Sequence, residues 1–402
     1  LEFNRILQGS SLDILRTLSN DSIDCVITSP PYYGLRSYEN TVSLWGGDCE
    51  CQHEWEEIRT SRPNASGGET EKDYKDDAQH YADYSDRASY SSCCKKCNCW
   101  QGQLGLEPTI DLYINHLCSI FDEIQRTLKP KGTCFVNLGD SYAGGNGRWQ
   151  KDTRGCKGDE QGQLIDTSYK HKGEKEMGIK PKSLCLIPFR FAIEMSNRRW
   201  IVRNSIIWHK INSLPSSAID RFSQDFEYVY FFTKNKKYHF EQQFESMSEA
   251  TQKRDKYGYK GAFKTQFVGA PNEKRWQEGR PIENSSFYNE KGRNMRSVWS
   301  IPTKPFKDSH FAVFPSSLIE PMIKAGCPKG GIVLDPFMGS GTTAITSIKL
   351  KRNYLGIELN PEYIEMSNKR ISKYIKSHIV TLGPEVIKIL ENINATKINK
   401  YM

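Results

Sequence analysis

The chain has 402 residues, with 56 Lys and Arg against 48 Asp and Glu, a net charge of +8 and a mean hydropathy of −0.65. That length excludes a small peptide scaffold and suits two to three domains, and no run of about 18 apolar residues offers a membrane span. The positive balance suits a polyanionic partner, and LEFNRILQGS lacks the basic-then-apolar pattern of a secretory signal, so a cytoplasmic protein is expected. In that compartment twelve cysteines point to thiols or metal ligands rather than disulfides.

Residues 23–29, IDCVITS, form a β-branched run that stops at Pro30-Pro31, which predicts a buried parallel strand ending in a turn. Residues 54–92 are polar and aperiodic. Apolar positions at helical spacing over 110–128 predict a helix, stopped by Lys129-Pro130-Lys131-Gly132 ahead of a strand, TCFVNLG. Residues 142–180 are rich in Gly and Lys and read as a mobile loop. WIVRNSIIWH and FEYVYFFT are strand-like, so Trp200, Trp208, Phe226, Tyr228, Tyr230 and Phe232 are expected in the core, with His209 and His239 structural beside them. Residues 251–304 hold 12 Lys or Arg against 5 acidic residues, interleaved with eight aromatics. GIVLDPF then reads as a strand, GSGTT as a turn, TAITSIKLKR as a helix and NYLGIEL as a strand. Two β-α-β signatures separated by a long middle predict an α/β domain whose mostly parallel sheet is assembled from both ends of the chain.

In IVLDPFMGSGTTAI, Asp335 closes a strand, and Gly339-Ser340-Gly341 allows the backbone to turn tightly against a ligand before a helix begins. Glu358 ends the next strand, where a carboxylate can accept hydrogen bonds from two ribose hydroxyls. No Lys follows the last glycine and a GxGxxG spacing is missing, so the expected ligand is a nucleoside without phosphates.

With TSPPY upstream and DPFMGSGTT downstream, the chain resembles the S-adenosylmethionine-dependent DNA amino-methyltransferases of permuted motif order found in bacterial and phage restriction-modification systems. The resemblance implies a Rossmann-like methyltransferase fold with a mostly parallel sheet, carrying zinc-bearing and target-recognition insertions. It places Asp335, Pro336, Phe337, Gly339, Ser340, Gly341, Thr342, Glu358, Phe311 and Pro315 around S-adenosylmethionine, and Ser29, Pro30, Pro31 and Tyr32 at the reacting base. One departure is Ser10, where relatives often have Asp.

An exocyclic amino group is a poor nucleophile because its lone pair is delocalised into the ring. Two acceptors close to its hydrogens, the Ser29 hydroxyl and the Pro30 carbonyl, would favour the tetrahedral geometry needed for methyl transfer. Ser-Pro-Pro holds that carbonyl in one direction, since proline fixes its own φ and restrains the residue before it. Tyr32 offers a face on which a flipped base can stack. Cys25 lies on the strand and not in a Pro-Cys turn, so carbon methylation through a covalent intermediate is not expected. In the family, Ser at the first motif position accompanies cytosine more often and Asp adenine, and a hydroxyl can also donate to the cytosine ring nitrogen. The expectation is 4-amino methylation of cytosine, with 6-amino methylation of adenine as the alternative. An inactive zinc-containing DNA-binding regulator, or an enzyme acting on RNA or protein, is the further alternative.

GGDCECQHEW supplies Cys49, Cys51 and His53, and SSCCKKCNCWQG supplies Cys93, Cys94, Cys97 and Cys99. By resemblance to the family's Cys-x-His and Cys-x-x-Cys pattern, Cys51, His53, Cys94 and Cys97 are the expected ligands of a structural zinc. Four protein ligands leave no open position for catalysis, and metal-free cysteines are the other reading. The expected organisation is catalytic 1–50, zinc insertion 51–100, catalytic 101–240, target recognition 241–300, cofactor-binding 301–378 and a helical tail 379–402. Expected partners are duplex DNA and a cognate restriction endonuclease, with no membrane, for a monomer or homodimer.

Overall fold

The computed structural model describes residues 2–34, 42–48, 50–59, 90–143, 179–180, 182–213, 215–216, 218–246, 292–303 and 313–382. The chain divides into two compact units, residues 1–240 with 298–402, and residues 241–297.

The first unit opens with β1 (Arg5–Gln8), α1 (Ser11–Thr17) and β2 (Ile23–Thr28). Four short strands follow: β3 (Ser43–Trp45), β4 (Trp55–Arg59), β5 (Tyr90–Cys94) and β6 (Trp100–Gly102). Next come α2 (Ile110–Thr127), β7 (Leu128–Leu138), α3 (Ile187–Asn197), β8 (Ile201–His209) and β9 (Phe226–Thr233). The second unit pairs β10 (Phe244–Glu245) antiparallel with β11 (Arg293–Asn294), where Arg293 and Arg296 both bond to Glu245. The chain then returns through β12 (Val298–Ser300), α4 (Ser316–Gly326), β13 (Ile332–Asp335), α5 (Thr342–Lys349), β14 (Asn353–Glu358) and α6 (Pro361–Leu382).

Among the described residues the main sheet has eight strands in the order β1-β14-β13-β2-β7-β9-β8-β12. Only β9 opposes its neighbours, running antiparallel to both β7 and β8. The fold is thus α/β with a mostly parallel sheet. β2 and β13, from opposite ends of the chain, are adjacent and parallel, with Cys25 beside Val333 and Val26 beside Leu334. β2 is buried along nearly its whole length, as a parallel strand covered on both faces must be. α2 covers one face with Ile110, Tyr113, Ile114, Leu117, Phe121 and Ile124, and Thr109 caps its start by accepting from the Leu112 amide at 3.2 Å.

The helix stops ahead of Lys129–Gly132 as expected, but the strand that follows starts earlier than TCFVNLG. The helix ends at Thr127, and β7 already begins at Leu128. Pairing skips from Ile23↔Leu128 to Cys25↔Thr133, so this segment bulges out of register while staying extended. Lys129 is anchored there by Asp24 at 2.8 and 2.9 Å, and a Cβ on Gly132 would meet Leu128 at 2.5 Å. The aromatic expectations divide: Trp200, Trp208, Tyr230 and Phe232 are buried, whereas Phe226 and Tyr228 are half-buried at the start of β9.

The second sheet, β3-β6-β5-β4, is antiparallel throughout, so the edges of the polar 54–92 stretch are paired strands. Its Trp45 and Trp100 both stack on His116, a residue of α2, at 5.0 and 5.3 Å between ring centroids. Most of the 142–180 stretch, the bulk of the basic aromatic segment at 251–290, and the tail from 383 onward lie outside the described residues. No described helix is long and apolar enough to cross a membrane.

Candidate active site

Because β2 and β13 are parallel neighbours, the turns that follow them emerge side by side. The Thr28 hydroxyl, one residue before Ser29, donates to Asp335 Oδ1 at 2.7 Å. Thr343, in the first turn of α5, donates to Oδ2 at 2.6 Å, and the Phe337 amide donates to Oδ1 at 3.1 Å. Asp335 is only 1% exposed. Burial pushes its carboxyl up to about 6, against the opposing pull of those donors. Both oxygens are engaged by the chain itself, so this carboxylate holds the two turns together.

The glycine turn needs left-handed backbone at Gly339 (φ 52°) and Gly341 (φ 81°). The two differ in surroundings. A Cβ on Gly341 would lie 3.0 Å from Ser367 Cβ, whereas one on Gly339 would meet nothing nearer than the Phe337 carbonyl at 3.9 Å. α6 buttresses the turn: Ser367 donates to the Gly339 carbonyl at 2.5 Å, and Arg370 bonds to the Ser340 carbonyl. Half-buried Glu358 accepts from the amides of Gly339 at 2.8 Å and Asn360 at 2.9 Å. Its carboxyl is raised by burial, with the backbone amides opposing. Ser11 steadies the turn by donating to the Pro336 carbonyl at 2.6 Å; Ser10 only precedes α1 and makes no side-chain cap.

Buried Ser340 Oγ and Thr342 Oγ1 have no partner among the described residues. Two unsatisfied hydroxyls, open space over Gly339 and a carboxylate at the end of β14 fit a nucleoside ligand with hydroxyls of its own. Half-buried Phe337 flanks the turn, and Pro315 lies at the start of α4, which packs on α5 and β2. Phe311 and His310 lie outside the described residues.

Across from this turn, the Pro31 carbonyl accepts from Tyr113 at 2.8 Å. No hydrogen bond within the described residues reaches the Pro30 carbonyl. Ser29 donates to the Tyr32 hydroxyl at 3.3 Å, and that hydroxyl donates to Glu227 Oε2 at 2.8 Å. Glu227 is in turn ion-paired to Lys210 and accepts from Asn137 Nδ2 at 3.0 Å. Burial first, then the Glu227 charge, raises the Tyr32 phenol well above its usual range. The ring is half-buried, and a Cβ on Gly139 would fall 2.5 Å from its Cε2 atom.

Sequence reasoning missed Thr28, Thr343, Asn137, Lys210 and Glu227. Thr28 and Thr343 stand inside TSPPY and DPFMGSGTT, where a hydroxyl is a legible signal; Glu227 carries none within an aromatic strand.

The four expected metal ligands converge. Cys51 and Cys94 sulfurs are 3.9 Å apart, Cys97 Sγ is 3.4 Å from His53 Nδ1, and all four ligand atoms lie within 4.8 Å of one another. Tetrahedral zinc with bonds of about 2.3 Å to sulfur separates two sulfurs by roughly 3.8 Å, so the set fits that ion. Desolvation opposes ionisation of Cys94, yet the amides of Cys97, Glu54 and Lys96, with His53, lower its thiol to about 5. Cys99 is buried and Cys93 half-buried outside the set; Cys49 lies outside the described residues. The cluster connects to the catalytic turn through packing. His116, on which Trp45 and Trp100 stack, meets buried Glu107 at 3.2 Å; Glu107 accepts from the Gly105 amide, whose carbonyl accepts from Gly34, each at 2.8 Å.

A glycine turn with two unpartnered hydroxyls, set beside a Ser-Pro-Pro-Tyr corner on an adjacent parallel strand, suits a group-transfer enzyme. The family model described as DNA methylase, of the N6/N4 type, matches residues 23–369, and the chain belongs to this family of S-adenosylmethionine-dependent DNA methyltransferases. It is 30% identical over 369 residues to the Type II methyltransferase M.SmaI of Serratia marcescens, covering 91% of this chain and 90% of that one. It is 29% identical over 373 residues to the Type II methyltransferase M.Cfr9I of Citrobacter freundii, covering 92% and 89%. Among solved structures, the cytosine-N4-specific PvuII DNA methyltransferase is similar at 15% identity and a TM-score of 0.47, with 93% and 94% covered.

Two outcomes are expected. Both Gly339→Ala and Gly341→Ala should lower Tm through left-handed strain, with Gly341→Ala, pressed against Ser367, lowering it further, and Gly339→Ala should weaken S-adenosylmethionine binding in calorimetric titration; equal Tm losses would contradict the open space over Gly339. Asp335 is raised in the folded state, so its stability contribution is present below its unfolded value of 3.8 and is lost as pH rises through about 6. That window is worth on the order of 3 kcal/mol. Asp335→Asn should flatten this part of the stability profile, as followed by Tm against pH.

Proposed function

We propose that this enzyme methylates the 4-amino nitrogen of cytosine in a short duplex DNA sequence, acting on a base rotated out of the helix. The supporting observation is the Thr28–Asp335 hydrogen bond, which sets the Ser-Pro-Pro-Tyr turn beside the glycine turn.

S-adenosylmethionine, when bound, supplies an electrophilic methyl group. Glu358, Ser340, Thr342 and the opening over Gly339 would hold it, with Pro336, Phe337, Gly341, Phe311 and Pro315 as the remaining pocket residues. Tyr113 already occupies the Pro31 carbonyl, so the Pro30 carbonyl and the Ser29 hydroxyl are the acceptors left to draw the amino lone pair out of conjugation. Stacking on Tyr32, worth about 1–3 kcal/mol, offsets part of the few kcal/mol that flipping costs.

The choice of cytosine rests on serine at position 29, as the family resemblance implies. Adenine would present the same amino chemistry, and digestion of modified DNA to nucleosides distinguishes the two. Tritiated cofactor should label duplex DNA and yield 4-methylcytosine. Label as 6-methyladenine would replace the base assignment, and label confined to RNA or protein would overturn the substrate. The basic segment at 251–304 is the proposed reader of the DNA sequence, and a cognate restriction endonuclease the proposed companion.

Cys51, His53, Cys94 and Cys97 are proposed to hold a structural zinc that braces the catalytic turn through His116 and Glu107. Elemental analysis of unchelated protein should find about one zinc per chain, and chelation should lower Tm. Zinc-free protein with an unchanged Tm after chelator treatment would remove the metal from this account.

A further inference from the structure

We infer that Glu227 is a positioning residue that sets the polarity of the Ser29 hydroxyl, making it a hydrogen-bond acceptor toward the substrate amino group. The inference rests on the amino-methyltransferase reading above. A carboxylate only accepts, whereas a phenol has one proton to give. Three donors converge on Glu227: Lys210 Nζ, Asn137 Nδ2 and the Tyr32 hydroxyl. Tyr32 has a second acceptor in reach, Asn137 Oδ1 at 3.3 Å, but the Glu227 oxygen is nearer at 2.8 Å and carries charge. The Tyr32 proton therefore goes to Glu227, and its oxygen is left to accept.

Ser29 is the donor to that oxygen, at 3.3 Å. With its single proton committed, Ser29 faces substrate with lone pairs alone, which is what an amino group leaving conjugation requires. The same commitment leaves Ser29 no proton for the cytosine ring nitrogen, so the cytosine reading stands on the family's pairing of Ser at this position with cytosine and not on that bond. Lys210 contributes by holding the carboxylate, itself lying over the Trp208 ring at 4.8 Å.

The test is a double-mutant cycle on full-length enzyme, with kcat, KM for duplex DNA, DNA affinity by anisotropy and Tm measured for each protein. Glu227→Gln keeps the shape but offers an amide donor, and Tyr32→Phe keeps the ring and the Glu227–Lys210 pair. Each should lower kcat by about tenfold to a hundredfold while KM and DNA affinity stay within about threefold. In a Ser29→Ala background neither change should cost much further, because the hydroxyl they orient is gone. If Glu227→Gln lowers Tm sharply, the Tyr32→Phe arm decides alone. Unchanged kcat in Tyr32→Phe, or equal losses with and without Ser29, overturns the inference while leaving the enzyme reading intact. A wild-type protein that transfers no methyl group to DNA overturns both.

Discussion

The active-site architecture depends on one buried carboxylate. Asp335 receives Thr28 from the end of β2, Thr343 from the first turn of α5 and the Phe337 amide from its own turn. Parallel pairing brings the two strands together, but pairing alone leaves the loops beyond their ends free to diverge. A charge-bearing acceptor at the last residue of β13 ties both loops to one point, and its burial makes any loss of those donors expensive. The glycine turn and the Ser-Pro-Pro-Tyr turn are consequently tied to one carboxylate, as the proposed methyl transfer across a short gap requires.

The antiparallel strand supplies what parallel strands cannot. β9 reverses direction, so its first residues lie at the same sheet edge as the last residues of β2 and β7. That reversal places Glu227 beside Asn137 and under Tyr32, and lets β8 contribute Lys210 just past its end. The Ser-Pro-Pro-Tyr corner is therefore supported by a polar network from β7, β8 and β9, and by Tyr113 on α2.

The cysteine module reaches the same corner by a different route. Two indoles of its small sheet stack on His116, and the Glu107 carboxylate carries that contact to Gly105 and the loop after β2. Gly105, at φ 96°, approaches so closely that a Cβ would sit 2.9 Å from the Tyr32 carbonyl. A module inserted far from the glycine turn thus packs against the backbone of Tyr32, the residue proposed to meet the base.

Local pattern in the sequence determined the strands ending at Thr28, Asp335 and Glu358, the helix over 110–127 and the glycine turn, because each depends on periodicity or backbone freedom; the set Cys51, His53, Cys94 and Cys97 followed from the family resemblance, and the fold brings its two halves together. The stop at Lys129–Gly132 ended the helix as expected, but the segment is already strand, paired through Leu128 and anchored by Lys129 to Asp24. Tertiary structure alone decided that Asp335 clamps two loops, that Pro31 is occupied while Pro30 is left, and that Glu227 stands behind Tyr32. These are pairings between residues remote in the chain, and hydrogen-bond polarity exists only once donor and acceptor have been brought within about 3 Å of each other.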